Sequence, residues 1–104
     1  MISNAKIAAA LVGMFALAVP ALAQAPELTA DEAAGKVIFE ETAGGVGCAS
    51  CHGMKAQGDI GPAIAGQTVE NIQLQMETNE NMGFIELTED ELKQVEAYLA
   101  VLNR

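Results

Sequence analysis

Apolar positions along the chain recur with helical spacing, and each recurrence begins at a recognisable cap. Thr29-Ala30-Asp31-Glu32 is a capping box, with a hydroxyl and a carboxylate placed to satisfy orphan amides at a helix start. Ala33, Ala34, Val37, Ile38 and Glu41 follow at three-four spacing, and Ala43-Gly44-Gly45 stops the helix. Gly44, Gly45 and Gly47 make the backbone compliant before a short helical turn through Cys48 to His52. Gly53–Gly66 holds four glycines and Pro62 among few large apolar side chains, which predicts an irregular loop that wraps something. Thr68 caps a third helix with Val69, Ile72 and Met76 on one face. Ile72, Leu74 and Met76 also alternate with period two, but richness in Glu, Gln, Leu and Met favours helix, and no strand partner is nearby. Asn79–Gly83 is a polar break. Thr88-Glu89-Asp90-Glu91 is a second capping box, and Leu92, Val95, Leu99 and Leu102 line the helix it opens. The expectation is an all-α domain of about four short helices with long loops and no internal repeat.

The first residues obey a different pattern. Lys6 precedes an apolar run, Ile7–Val19, shorter than the roughly 20 residues of a membrane span, and Pro20 and Ala21-Leu22-Ala23 follow. This predicts a secretory signal peptide over residues 1–23 and a single domain over 24–104, with cleavage after Ala25 as the neighbouring choice. A retained membrane anchor is the competing reading. The expected location is therefore the periplasm, with no stable membrane anchor after cleavage.

Charge narrows the partners. The 104-residue chain has 5 Lys+Arg against 14 Asp+Glu, a net charge of −9, which argues against nucleic acid. Every acid lies after Ala23, so cleavage makes the balance still more negative. Asp31, Glu32, Glu89, Asp90 and Glu91 serve helix starts, and the remainder would steer the protein toward a basic docking surface at a rate that falls as salt rises. A chain this small buries only about 60% of its unfolded surface and needs a staple, metal or cofactor.

Cys48-Ala49-Ser50-Cys51-His52 carries the chemistry. It is C-x-x-C-H, the attachment motif of c-type haem: two thiols one helical turn apart can add to the two vinyl groups of a porphyrin edge, and the adjacent imidazole becomes an axial ligand. A thioredoxin-like redox pair would use the same two cysteines but belongs to a βαβ setting. A zinc site would lack a fourth ligand. His52 is the sole histidine. A thioether sulfur suits the second axial position of an electron-transfer haem. Met54 is too close to His52 to cross to the other face; Met76 falls on an apolar helix face as core filler; Met82 lies in an irregular connection beside Gly83, where the backbone can approach a flat cofactor. Met82 is the preferred ligand and Met76 the alternative.

These residues resemble the class I cytochrome c family over essentially the whole mature chain. Gly35 and Phe39 look like that family's Gly and aromatic pair in the first helix, and Tyr98-Leu99 like their partner in the last, where the terminal helices cross. Gly61-Pro62-Ala63-Ile64 is similar to the segment whose Pro carbonyl accepts a hydrogen bond from the axial His, which implies that Pro62 orients His52. Met82-Gly83-Phe84-Ile85 resembles the distal Met loop, although relatives often have Pro where this chain has Gly83, a change that implies a more mobile loop. Few basic residues are present to meet the haem propionates, which leaves Lys55, Gln67 or backbone amides. The resemblance implies one covalently attached haem c and an electron carrier rather than an enzyme. It would work as a soluble shuttle or as a small electron-accepting subunit of a periplasmic dehydrogenase. A catalytic or gas-sensing haem is the alternative, against which Glu80 and Glu86 read as solvated loop residues rather than acid-base groups.

Overall fold

Both predicted capping boxes form. In the computed structural model, which describes residues 27–104, the Thr29 hydroxyl accepts from Glu32 N–H at 3.1 Å and the Glu32 carboxylate from Thr29 N–H at 2.9 Å. Thr88 and Glu91 repeat the exchange at 3.1 and 2.8 Å. The expected signal segment, residues 1–23, lies outside the described residues.

Among the described residues there are four α-helices: α1 (Ala30–Val37), α2 (Ala49–His52), α3 (Val69–Thr78) and α4 (Glu89–Leu102). Among the described residues there is no strand, and no helix is long and apolar enough to cross a membrane. The first helix does not run uniformly to Ala43. After Val37 it widens into a π turn, Ile38–Thr42, followed by a 3₁₀ turn, Ala43–Gly45. Ala43 N–H reaches back five residues to the Ile38 carbonyl.

The face that α1 buries differs from the three-four pattern. Gly35, Ile38 and Phe39 are buried, whereas Ala33 is exposed and Val37 is 47% exposed. The cause is the crossing with α4. A Cβ on Gly35 would stand 1.9 Å from the Gln94 carbonyl oxygen and 3.0 Å from Tyr98 Cβ, so the bare backbone of Gly35 is the contact point. Val37, two residues on and about 200° round the helix, must then face solvent. The Phe39 and Tyr98 rings pack beside the crossing with centroids 5.7 Å apart and planes inclined by 56°, a tilted aromatic pair.

On α4 the predicted stripe holds: Leu92, Val95 and Leu99 are buried with Tyr98, and Leu102 packs against the core. Phe39, Val95 and Leu99 are the largest fully buried side chains. Each contributes about 1.5–3 kcal/mol by burial. On α3 the predicted face is only half-buried, Met76 included, and no residue of the helix is fully buried. That helix is tied to α4 by Val69 N–H, which donates to Glu96 Oε2 at 2.9 Å, and its inner side borders a cleft instead of packing on the core.

The Gly53–Gly66 segment is irregular, as expected. It folds back on α2 through Gly58 N–H to the His52 carbonyl and Gly61 N–H to the Cys51 carbonyl, both 2.7 Å, and reaches α4 through Gly66 N–H to the Leu99 carbonyl at 3.0 Å. Ala56 anchors it from within, fully buried and with a positive φ of 57°.

Candidate functional site

The short helix α2 is one turn long, and that turn brings the whole motif to one place. Cys48 occupies its N-cap, and the Cys48 carbonyl accepts from Cys51 N–H at 3.2 Å and from His52 N–H at 3.0 Å. Ser50 Oγ donates to the Gly47 carbonyl at 2.7 Å, bracing the entry. Both cysteines are free thiols, Cys48 half-buried and Cys51 exposed. Burial pushes the Cys48 thiol up to about 11, with Cys51 adding to the rise and a backbone hydrogen bond opposing it. A reactive redox cysteine has a lowered value that makes thiolate available at neutral pH. Cys48 has the reverse.

His52 is 7% exposed. Its Nδ1 lies 2.7 Å from the Pro62 carbonyl oxygen. A carbonyl can only accept, so Nδ1 carries the proton and donates, and the Nε2 lone pair is the coordinating position. Gly61 makes this arrangement possible. A Cβ there would stand 2.7 Å from His52 Cε1 and 2.9 Å from Nδ1, so only a bare backbone lets the loop lie against the imidazole and present the next residue's carbonyl.

Met82 closes a 3₁₀ turn, Glu80–Met82, between α3 and α4. It lines the same cleft as Cys48, Cys51, His52 and Pro62, a space of about 510 Å³, within the range of roughly 300–1,000 Å³ of cofactor and ligand sites. Met76 is not among the residues lining that cleft, and Met54 is 57% exposed at the surface. Gly83, next to Met82, is not among the residues lining the cleft. Its φ of −65° and ψ of −15° suit any residue, and a Cβ there would meet nothing closer than 3.6 Å. Within the chain itself, Gly83 makes no close approach and needs no unusual backbone freedom.

Ile72, Ile85, Val95 and Leu99 supply apolar wall, so the cleft is continuous with the core. Among the described residues lining it there is no Lys, Arg, Asp or Glu. Lys55, Glu80 and Glu86 stay outside, whereas Gln67 lines the wall. A wider depression of about 730 Å³ between α3 and α4 is lined by Glu70, Glu89, Lys93 and Glu96 among others and brings no thiol, hydroxyl or imidazole. No group of three or more His, Cys, Asp or Glu side chains gathers among the described residues in a way that could hold a metal ion.

One feature of the site escaped the sequence reading. Gln67, Asn71, Gln75 and Asn79 all line the cleft, four residues apart, along one side of α3 and its ends. Asn71 Nδ2 donates to Gln67 Oε1 at 2.5 Å and Asn79 Nδ2 to Gln75 Oε1 at 3.4 Å. Carboxamides at i, i+4 spacing mark this face in the sequence, but a polar inner face leaves no hydrophobic periodicity. In comparisons with known proteins, no family model, no curated protein and no solved structure matches this chain.

Proposed function

We propose that this chain is an exported, single-haem c-type cytochrome of the class I kind, passing one electron at a time between redox partners. The observation that carries the reading is the convergence of Cys48, Cys51, His52 and Met82 on one uncharged, largely apolar cleft, with His52 Nδ1 already held by the Pro62 carbonyl at 2.7 Å. The fit of the residues to a haem rests on the chemistry of these donors. Two thiols one helical turn apart match a pair of vinyl groups, and an imidazole with Nδ1 protonated offers Nε2 to iron. Gly61 leaves the His52 ring edge clear of side chain. The crossing of α1 and α4 at Gly35, with Phe39 against Tyr98, supports the cytochrome c fold as the frame.

When bound, the haem supplies an iron centre that takes up and releases a single electron reversibly. The chain's own residues do the rest. Cys48 and Cys51 hold the group covalently as thioethers. Pro62 keeps the imidazole in one tautomer and one orientation, which prepares Nε2 as ligand and raises its basicity. Met82 supplies a thioether sulfur from the α3 side, Ile72, Ile85, Val95 and Leu99 exclude water, and no lining carboxylate stands ready as an acid or base. That set suits a carrier, shuttle or enzyme subunit, rather than an enzyme in its own right. Its acidic surface suits a partner with a basic docking face.

The test is the absorption spectrum of the haem-loaded protein, oxidised and reduced, with carbon monoxide added to the reduced form. A methionine-to-ferric-iron charge-transfer band, together with no more than slow binding of carbon monoxide, is the expected result. Rapid carbon monoxide binding and no such band would instead indicate an open site for small-molecule chemistry.

A further inference from the structure

Asn79 joins the end of α3 to the turn that carries Met82, and every polar group of this residue is engaged. Its N–H donates to the Gln75 carbonyl at 2.8 Å and its carbonyl accepts from Met82 N–H at 2.9 Å. Its Oδ1 accepts from Asn81 N–H at 3.0 Å, and its Nδ2 donates to Gln75 Oε1 at 3.4 Å. The direction of this amide chain is set by chemistry: a backbone N–H such as that of Asn81 needs an oxygen, so Oδ1 must face it and Nδ2 must face Gln75.

We infer that Asn79 is the positioning residue for Met82, holding its sulfur in the cleft and so setting how readily the second axial site opens to an outside ligand. This inference rests on the proposal that Met82 is that ligand. A three-residue 3₁₀ turn has poor hydrogen-bond geometry and little stability of its own. Its shape depends on what clamps its ends. Upstream the clamp is Asn79, acting through side chain and backbone together. Downstream, Ile85 N–H donates to the Met82 carbonyl at 3.1 Å and the Phe84 ring lies where a side chain on Gly44 would stand. Gly83 between them touches little, so the stiffness of the loop comes from its flanks. Loss of the Asn79 side chain removes the cap from Asn81 N–H and the tie to α3, and the fraction of molecules with Met82 swung away rises.

The experiment uses the full haem-loaded protein and its Asn79→Ala, Asn79→Asp and Met82→Ala variants. The readouts are the rate of carbon monoxide binding to the reduced form and the methionine-to-iron band of the oxidised form. Asn79→Ala is expected to bind carbon monoxide roughly tenfold faster, the population shift that loss of one capping side chain produces, with a weakened band. Asn79→Asp is expected to restore both, because its carboxylate still accepts from Asn81 N–H and the Gln75 amide can turn to donate. Should Asn79→Ala not load haem, Gln75→Ala severs the Nδ2 arm alone and is expected to give a smaller rise. Wild-type rates and band in Asn79→Ala, or in that substitute, beside an open site in Met82→Ala overturn the role of Asn79. An unchanged band and unchanged carbon monoxide behaviour in Met82→Ala overturn the ligand assignment itself, and the positioning role with it.

Discussion

At the residue scale, the environment of a titratable group decides how it responds to pH. The Tyr98 ring packs beside Phe39 in the crossing of α1 and α4, and the pKa of its hydroxyl is raised above the ordinary 10.0, first by burial and then by the charge of Glu40, with Lys36 opposing. The folded state therefore holds the phenol proton more tightly than the unfolded chain. Stability from this source is fully present below about pH 10 and is lost as pH rises through the folded value, because the unfolded state then binds fewer protons. With haem attached as proposed, Cys48 would be a thioether and would not titrate, which leaves Tyr98 as the raised group. Tyr98→Phe is expected to flatten the fall in stability between pH 9 and 11, as read by denaturant unfolding at each pH; a fall as steep as in the wild type would mean that other groups govern it. The motif residues were legible in the sequence since C-x-x-C-H is a local constraint and α2 is a local structure. The positioning of the His52 imidazole by Pro62, ten residues away, came only through family resemblance. Nothing in the spacing of apolar residues could have placed a carbonyl there.

At the element scale, α4 could be read almost completely from sequence. Its cap, length and buried stripe are set by residues within the helix, so local rules suffice. The first helix could not be read so well. Its buried face is set by where α4 touches Gly35 and by the π turn after Val37, and neither leaves a mark in the three-four pattern of Ala33, Ala34, Val37 and Ile38. Gly83 makes no close approach within the chain, and what ties the Met82 loop is the amide network from α3. Two glycine substitutions separate these roles. Gly35→Ala is expected to cost about 1–3 kcal/mol, since overpacking against the α4 backbone outweighs the better helix propensity of Ala. Gly83→Ala is expected to stabilise by about 0.4–1 kcal/mol, because it restricts the unfolded chain at a position whose native φ any residue adopts. Equilibrium unfolding of both variants checks this, and equal effects would contradict the assignment of the close contact to Gly35.

At the scale of the whole molecule, charge is segregated. Acids occupy the surface, where Lys36, Lys93 and Arg104 pair with Glu40, Glu89 and Glu32 at 3.2, 3.9 and 3.1 Å. Such exposed pairs contribute about 0–1 kcal/mol each and leave a large negative excess. The cleft wall carries none of that charge. An acidic exterior favours encounter with a basic partner at low salt, while the wall around Cys48, Cys51, His52 and Met82 is uncharged and largely apolar. Fully buried Val95 and Leu99 belong to the core and to the cleft wall at once. A group bound there therefore extends a core that is otherwise small for a chain of this length, and its binding adds to the stability of the fold. Everything proposed for the cleft depends on Cys48 and Cys51 holding one haem covalently. The most direct measurement is the intact mass of the exported protein after acid-acetone treatment, which strips haem that is not covalently bound. The account predicts a single species heavier than the processed polypeptide by one haem, and loss of that increment in the Cys48→Ala, Cys51→Ala double variant. A bare polypeptide mass, or one lighter by a pair of hydrogens from a Cys48–Cys51 disulfide, would contradict it.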